Sequence, residues 1–164
     1  ELFGTSIIDA LNEKNVADRI SKLQKINAPG ENAKAIVAML LSAEATGNEA
    51  ATFEMSTLND LTERLSIDAH YRDLLNFKIL LGSSEIMDLD ERIKAFEGFS
   101  KPGNPFRLLA EEQMALIELE LGNTDNAIEK ISQILLDSEL TAGLRNRATQ
   151  MLIALGKDPE LINE

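Results

Sequence analysis

The chain contains no cysteine and no tryptophan, and one histidine, His70. Without cysteine there are no disulfide staples, thiolate metal sites or cysteine nucleophiles, although a disulfide-free chain can occupy any compartment. A single histidine leaves Ser-His-Asp triads and multi-histidine metal sites short of parts, so enzyme chemistry starts from a thin inventory. Positive charge is scarce as well: 16 basic residues face 28 acidic ones, a formal charge of −12. A surface that tracks phosphates would be a local exception to that field, which disfavours nucleic acid as a partner. Aromatics make up 4% of the residues, so helix contacts must rest on leucine, isoleucine, alanine and methionine. The longest apolar runs, such as Ala35 to Leu41, fall far short of the ~20 residues of a membrane-spanning helix. No GxGxxG or GxxxxGK[ST] pattern signals a nucleotide cradle, and no cofactor or metal is expected.

What the chain does have is 164 residues, 44% of them apolar, enough for one domain with a real core. Four phrases end in glycine: AMLLSAEATG at Gly47, LLNFKILLG at Gly82, ALIELELG at Gly122 and ATQMLIALG at Gly156, at intervals of 35, 40 and 34. A period of about 34 with a second amphipathic helix after each glycine is the signature of a tetratricopeptide-type hairpin. Glycine suits the position because the residue past a helix end often adopts the left-handed conformation, which costs other residues about 1 kcal/mol or more.

Apolar spacing supports helices. Ala110, Met114, Ile117 and Leu121 step by 4, 3 and 4, and Leu144, Ala148, Met151 and Leu155 repeat the rhythm. Ala127, Ile128, Ile131, Ile134 and Leu135 form the second helix of a pair, capped by Thr124 or Asn123. Ala51, Met55, Leu58, Thr62 and Leu65 do the same after Gly47. The small residues of the pair from Ala110 to Leu135 fit the tetratricopeptide-type hairpin: Ala115 where two helices approach, Gly122 at the turn and Ala127 packed into the facing helix. The helix through Ile93, Phe96 and Phe99 starts at Asp88 or Asp90. Pro102, Gly103 and Pro105 interrupt helix, with Asn104 and Pro105 placed as N-cap and first helical residue, and this loop accounts for the 40-residue interval. Thr5 to Glu13 and Val16 to Ile26 form one more pair, closed by Asn27 to Gly30. No stretch alternates apolar and polar residues over strand length. The expected fold is an all-α, tetratricopeptide-like helical-repeat solenoid of about four and a half helix pairs, forming a single domain over residues 1–164.

Several phrases together resemble a specific family. Tyr71-Arg72-Asp73-Leu74 opens a helix; Pro102 to Arg107 forms a turn with Ala110-Glu111 behind it. Gly122 to Ala127 forms another turn, and Ala142-Gly143-Leu144-Arg145 with Arg147-Ala148 lies near the end. In order and spacing the chain resembles the inner-membrane-anchored tetratricopeptide-repeat-like proteins of alphaproteobacteria, relatives of the YfgM ancillary subunit of the Sec translocon. It departs from them at Lys14-Asn15, where glycine is expected in the first turn, and at Phe106, where tryptophan is common. The resemblance implies a short cytoplasmic N-terminus, a membrane anchor upstream of Glu1, and a periplasmic domain that scaffolds translocon or chaperone partners. It carries over no catalytic residues.

Other features have plainer readings. Asp88-Leu89-Asp90-Glu91 could open a calcium loop, but the twelfth position is Phe99 instead of a bidentate glutamate, so acids at a helix start are the better reading. Glu111 and Glu112 point about 100° apart on a helix and cannot share one proton-transfer site. His70 could cap, stack or be hydrated at a helix start. Met39, Met55, Met87, Met114 and Met151 recur with leucines and read as core filling. Arg145, Arg147 and Lys157 offset a helix C-terminus or form surface pairs.

The concave face of a repeat solenoid is lined by first helices and is the default binding surface. Aligning the glycines puts Leu41, Asn76, Leu116 and Gln150 in one row, and Val37, Arg72, Glu112 and Asn146 one turn earlier. Apolar residues beside single polar ones suit an extended peptide or partner helix; burial against a neighbouring helix is the alternative. The expected role is a non-enzymatic interaction scaffold at the periplasmic face of the inner membrane, holding a protein or peptide partner. A cytosolic adaptor is the alternative. So is a self-associating unit in which Ile7, Ile8 and Leu11 expose a face to a second copy.

Overall fold

The computed structural model describes residues 2–44, 58–60, 62–63, 66–83 and 86–159. It is all-helical, with no strand among the described residues. Two compact units divide the chain, Glu1–Glu85 and Ile86–Glu164.

In the first unit, α1 (Phe3–Leu11) packs on α2 (Val16–Gln24), α2 on α3 (Glu31–Glu44), and α3 on α4 (Ala69–Ser83). The turn between α1 and α2 closes without the glycine that the family resemblance led one to expect. Asn15 caps α2 by accepting from the Ala17 N–H at 2.8 Å, and Arg19 Nη1 donates to the carbonyls of Glu13 at 2.9 Å and Lys14 at 3.2 Å. A side chain thus satisfies acceptors at a turn that elsewhere rely on a left-handed residue. Gly30, at φ +91°, accepts from the Lys34 N–H in the first turn of α3. The core is small: Ala35, Ala38, Leu58, Ile67 and Leu75, with Met39, Tyr71 and Ile79 packed against it. Gly47 and the run from Ala51 to Met55 lie outside the described residues.

The second unit contains α5 (Leu89–Phe99), α6 (Arg107–Glu120), α7 (Thr124–Leu136) and α8 (Ala142–Ala154), each packed on the next. Leu108 and Ala115 of α6, Ile131, Ile134 and Leu135 of α7, and Leu144, Ala148 and Leu152 of α8 form one core. Met151 and Leu155 pack against it. Leu121, placed on the apolar stripe by spacing alone, ends α6 and is exposed.

Two of the four glycines end helices as expected. After α6, Gly122 (φ +77°) donates to the Leu119 carbonyl and Asn123 to that of Glu118; after α8, Gly156 (φ +74°) donates to Ile153 and Lys157 to Leu152. Both are Schellman closures, in which two otherwise orphaned carbonyls find donors. Gly82 differs: it lies inside the last turn of α4 and ends nothing.

Caps follow the sequence in part. Asp88, of the two alternatives, caps α5 by accepting from the Glu91 N–H at 2.9 Å, and Thr141 caps α8 through Leu144. Asn123 holds the N-cap position of α7, yet its amide reaches back to Glu118 at 3.0 Å instead of capping. Asn104 and Pro105 do not start α6. The chain turns first over Lys101 to Asn104, with Gly103 at φ +84°, and then again as Asn104 Oδ1 accepts from the Phe106 N–H at 2.8 Å. Two successive turns consume the residues that looked like a helix start, and α6 begins at Arg107.

Candidate functional site

The eight residues placed on an inner wall fall in different surroundings. In the first unit, Val37 of α3 is buried at 8% exposure and Leu41 is half-buried. On α4, Arg72 is half-buried and donates through Nη2 to the Ile67 carbonyl at 3.1 Å, while Asn76 is exposed. In the second unit, Leu116 is half-buried on α6, and Asn146 and Gln150 are exposed on α8. Glu112 is buried at 7% exposure. Val37 and Glu112 therefore offer a partner almost no side-chain surface; the other six keep some.

Glu112 is buried for a reason. Arg147 of α8 grips it in a two-pronged ion pair, Nε to Oε1 at 2.7 Å and Nη2 to Oε2 at 2.8 Å. This fork matches a carboxylate's two oxygens, the strongest geometry a guanidinium offers. Arg147 is half-exposed, and contact with Glu112 pushes its already high pKa further up. Of the two roles expected for Arg147, offsetting a helix end or forming a surface pair, an ion pair forms, but its partner Glu112 on α6 is buried. The pair joins α6 to α8 directly, over α7.

A second cluster was not anticipated. Arg107, the first residue of α6, donates through Nη2 to Asp137 at 2.9 and 2.8 Å and to Glu139 at 2.7 Å, and through Nη1 to Glu111 at 3.3 Å. Its guanidinium is pushed up, first by Glu139 and then by Asp137. The Asp137 carboxyl sits below its ordinary value, chiefly because the Glu139 backbone N–H donates to it and then because of Arg107. The cluster straps the start of α6 to the loop between α7 and α8. Beside it lies a groove of about 370 Å³ whose walls include Pro105, Leu108, Thr141 and Leu144. A basic residue opening a helix, about 30 positions before an Asp-x-Glu turn, was the available signal.

The remaining candidates are plain. His70 is exposed and stacks at a tilt on Tyr71, with ring centroids 4.2 Å apart. Asp88 is a helix cap. Among the described residues no group of three or more acidic or histidine side chains is placed to hold a metal ion, and no helix is long and apolar enough to cross a membrane.

Comparison with protein-family models, curated proteins and solved structures finds no match for the chain.

Proposed function

We propose that the chain is a tetratricopeptide-like helical-repeat scaffold without enzymatic activity, whose first helices present a surface to a protein or peptide partner. The observation that carries this reading is a shared register between α6 and α8. Glu112 is the sixth residue of α6, Arg147 is the sixth of α8, and the two meet. In the other unit, Asn32, the second residue of α3, exchanges two hydrogen bonds with Asp68, which directly precedes α4, at 2.7 and 3.0 Å, so that contact joins the two helices at non-equivalent positions. Stacked repeats bring equivalent positions of successive units together, and the Glu112–Arg147 contact follows that rule.

Leu41, Arg72, Asn76, Leu116, Asn146 and Gln150 are the residues assigned to the partner surface, while Val37 and Glu112 support it from beneath. The placement at the periplasmic face of an inner membrane, with a translocon subunit or chaperone as partner, rests on the resemblance of the chain's phrases to the alphaproteobacterial family.

The test is photo-crosslinking in cells, with a reactive side chain at Leu116 or Gln150 on first helices and at the exposed Glu129 of the second helix α7. The reading expects a defined adduct from Leu116 and Gln150 and none from Glu129. Equal adducts from all three, or none, contradict it. Protease added to spheroplasts should digest the domain; protection would move it to the cytoplasm.

A further inference from the structure

The groove beside the Arg107 cluster lies where two first helices begin. Leu108 and Leu109 of α6 and Leu144 of α8 line it, with Pro105 from the turn before α6. Leu109 and Leu144 are each third in their helices, one turn before Glu112 and Arg147, so the register that pairs those two also brings these leucines to one groove. Its volume of about 370 Å³ falls in the ~300–1,000 Å³ range of clefts that hold ligands.

Acceptors outnumber donors at its charged side. Arg107 Nη2 carries two hydrogens but faces three carboxylate oxygens, Asp137 Oδ1 and Oδ2 at 2.9 and 2.8 Å and Glu139 Oε2 at 2.7 Å, while Nη1 donates to Glu111. Three carboxylates around one guanidinium leave a local charge of −2. Glu139 lines the groove, and its side chain is 65% exposed, so part of that excess stands at the groove's edge. Lys101 and Arg145, the next basic residues along the chain, do not line the groove. Residues 86–164 hold 15 acidic and 8 basic residues, so the wider field of the unit is negative too. An anionic ligand is repelled from such a groove, and a cationic one is drawn to it.

We infer that this groove docks a basic, apolar segment of a partner polypeptide: a leucine-like side chain enters between Leu109 and Leu144 while an adjacent lysine or arginine meets Glu139. The inference rests on the scaffold reading above and names the chemistry of its partner. The incoming cation takes up carboxylate lone pairs that Nη2 leaves over, and the apolar side chain displaces water from the leucines and Pro105. Charge sets the choice of partner and the rate of encounter, and apolar contact holds it.

Titration of the full chain, followed by amide NMR, tests it with three short peptides capped at both ends. One alternates leucine and lysine, one has glutamate for each lysine, and one has glycine for each leucine. The leucine–lysine peptide should bind at least ~10-fold more tightly than either of the others, and more weakly as salt rises. Its shifts should centre on the amides of Phe106 to Leu109 and Glu139 to Leu144. Glu139→Gln should weaken it ~3-fold or more, and Leu109→Gln ~5-fold or more, both with unchanged helical circular dichroism. Glu129→Gln, which removes the same charge from an exposed position on α7, should change it by less than ~1.5-fold. No binding of the leucine–lysine peptide, equal binding of the glutamate or glycine peptide, shifts centred elsewhere, or indifference to Glu139→Gln overturns the inference. Adducts at Leu116 and Gln150 judge the scaffold reading separately, so their persistence alongside such a result removes this partner chemistry and leaves the scaffold.

Discussion

The two units close the same kind of helical hairpin with different chemistry. In Glu1–Glu85, Arg19 satisfies the carbonyls of the α1–α2 turn and reaches Glu44 at the end of α3 at 2.8 Å, and an exposed Asn32–Asp68 contact joins α3 to α4. Beside Ala35 and Ala38, its core of described residues holds the branched side chains of Leu58, Ile67 and Leu75. In Ile86–Glu164, Gly122 closes the α6–α7 turn, a buried acid joins α6 to α8, and beside Ala115 and Ala148 the core holds Leu108, Ile131, Ile134, Leu135, Leu144 and Leu152. Exposed polar contacts contribute little net stability each, whereas buried branched side chains contribute about 1.5 to 3 kcal/mol each. The second unit should therefore be the last to open, and hydrogen exchange resolved by segment will show whether it is.

The largest expected effect sharpens this contrast. Ile131→Ala, at a fully buried position, should destabilise the second unit by about 3 kcal/mol while leaving amide protection of α1 to α3 unchanged. Protection lost in both units would show that they unfold as one. Next comes loss of the polar contacts between α6 and α8 and between α3 and α4. Arg147→Ala strands the Glu112 carboxylate in its buried site and should cost about 2 kcal/mol in denaturant titration, discounted because the arginine is half-exposed. Asn32→Ala, at an exposed contact, should cost about 1 kcal/mol or less.

Glycines offer a smaller contrast with opposite signs. Gly122→Ala forces a Cβ into φ +77° and should cost about 1 kcal/mol, although the space around it is open. Gly82→Ala, at an exposed helical position, should stabilise α4 by about 0.5 kcal/mol, read as a shift in midpoint. The smallest effect is on acid stability. Because the folded Asp137 carboxyl sits below its unfolded value near 3.8, its contribution is complete above that value and is lost as pH falls through the lower, folded one. Asp137→Asn should flatten the acid limb of the second unit's stability below about pH 4, and an unchanged limb would remove Asp137 from the account.

Much of the helical layout was legible because spacing and closure are local. Gly122 and Gly156 sit where a left-handed residue is required, and Asp88 where an N-terminal N–H needs an acceptor. Gly82 shows the limit: the same letter after the same apolar run stays helical, and nothing within the phrase distinguishes the two cases. The site was harder. Aligning the glycines, 34 residues apart, paired Glu112 with Asn146, but the helices begin at Arg107 and Ala142, 35 apart. One residue is about 100° of helix rotation, so the side chain that meets Glu112 is Arg147. Helix starts carry the register, and α6 starts two residues later than Asn104 and Pro105 implied.

That register is the central claim, and a double-mutant cycle on Glu112→Gln and Arg147→Met tests it most directly. Side-by-side first helices in equivalent register predict a coupling of about 2 kcal/mol between the two substitutions. Additive effects, within about 0.3 kcal/mol, would mean that the two side chains do not meet in solution and would contradict it.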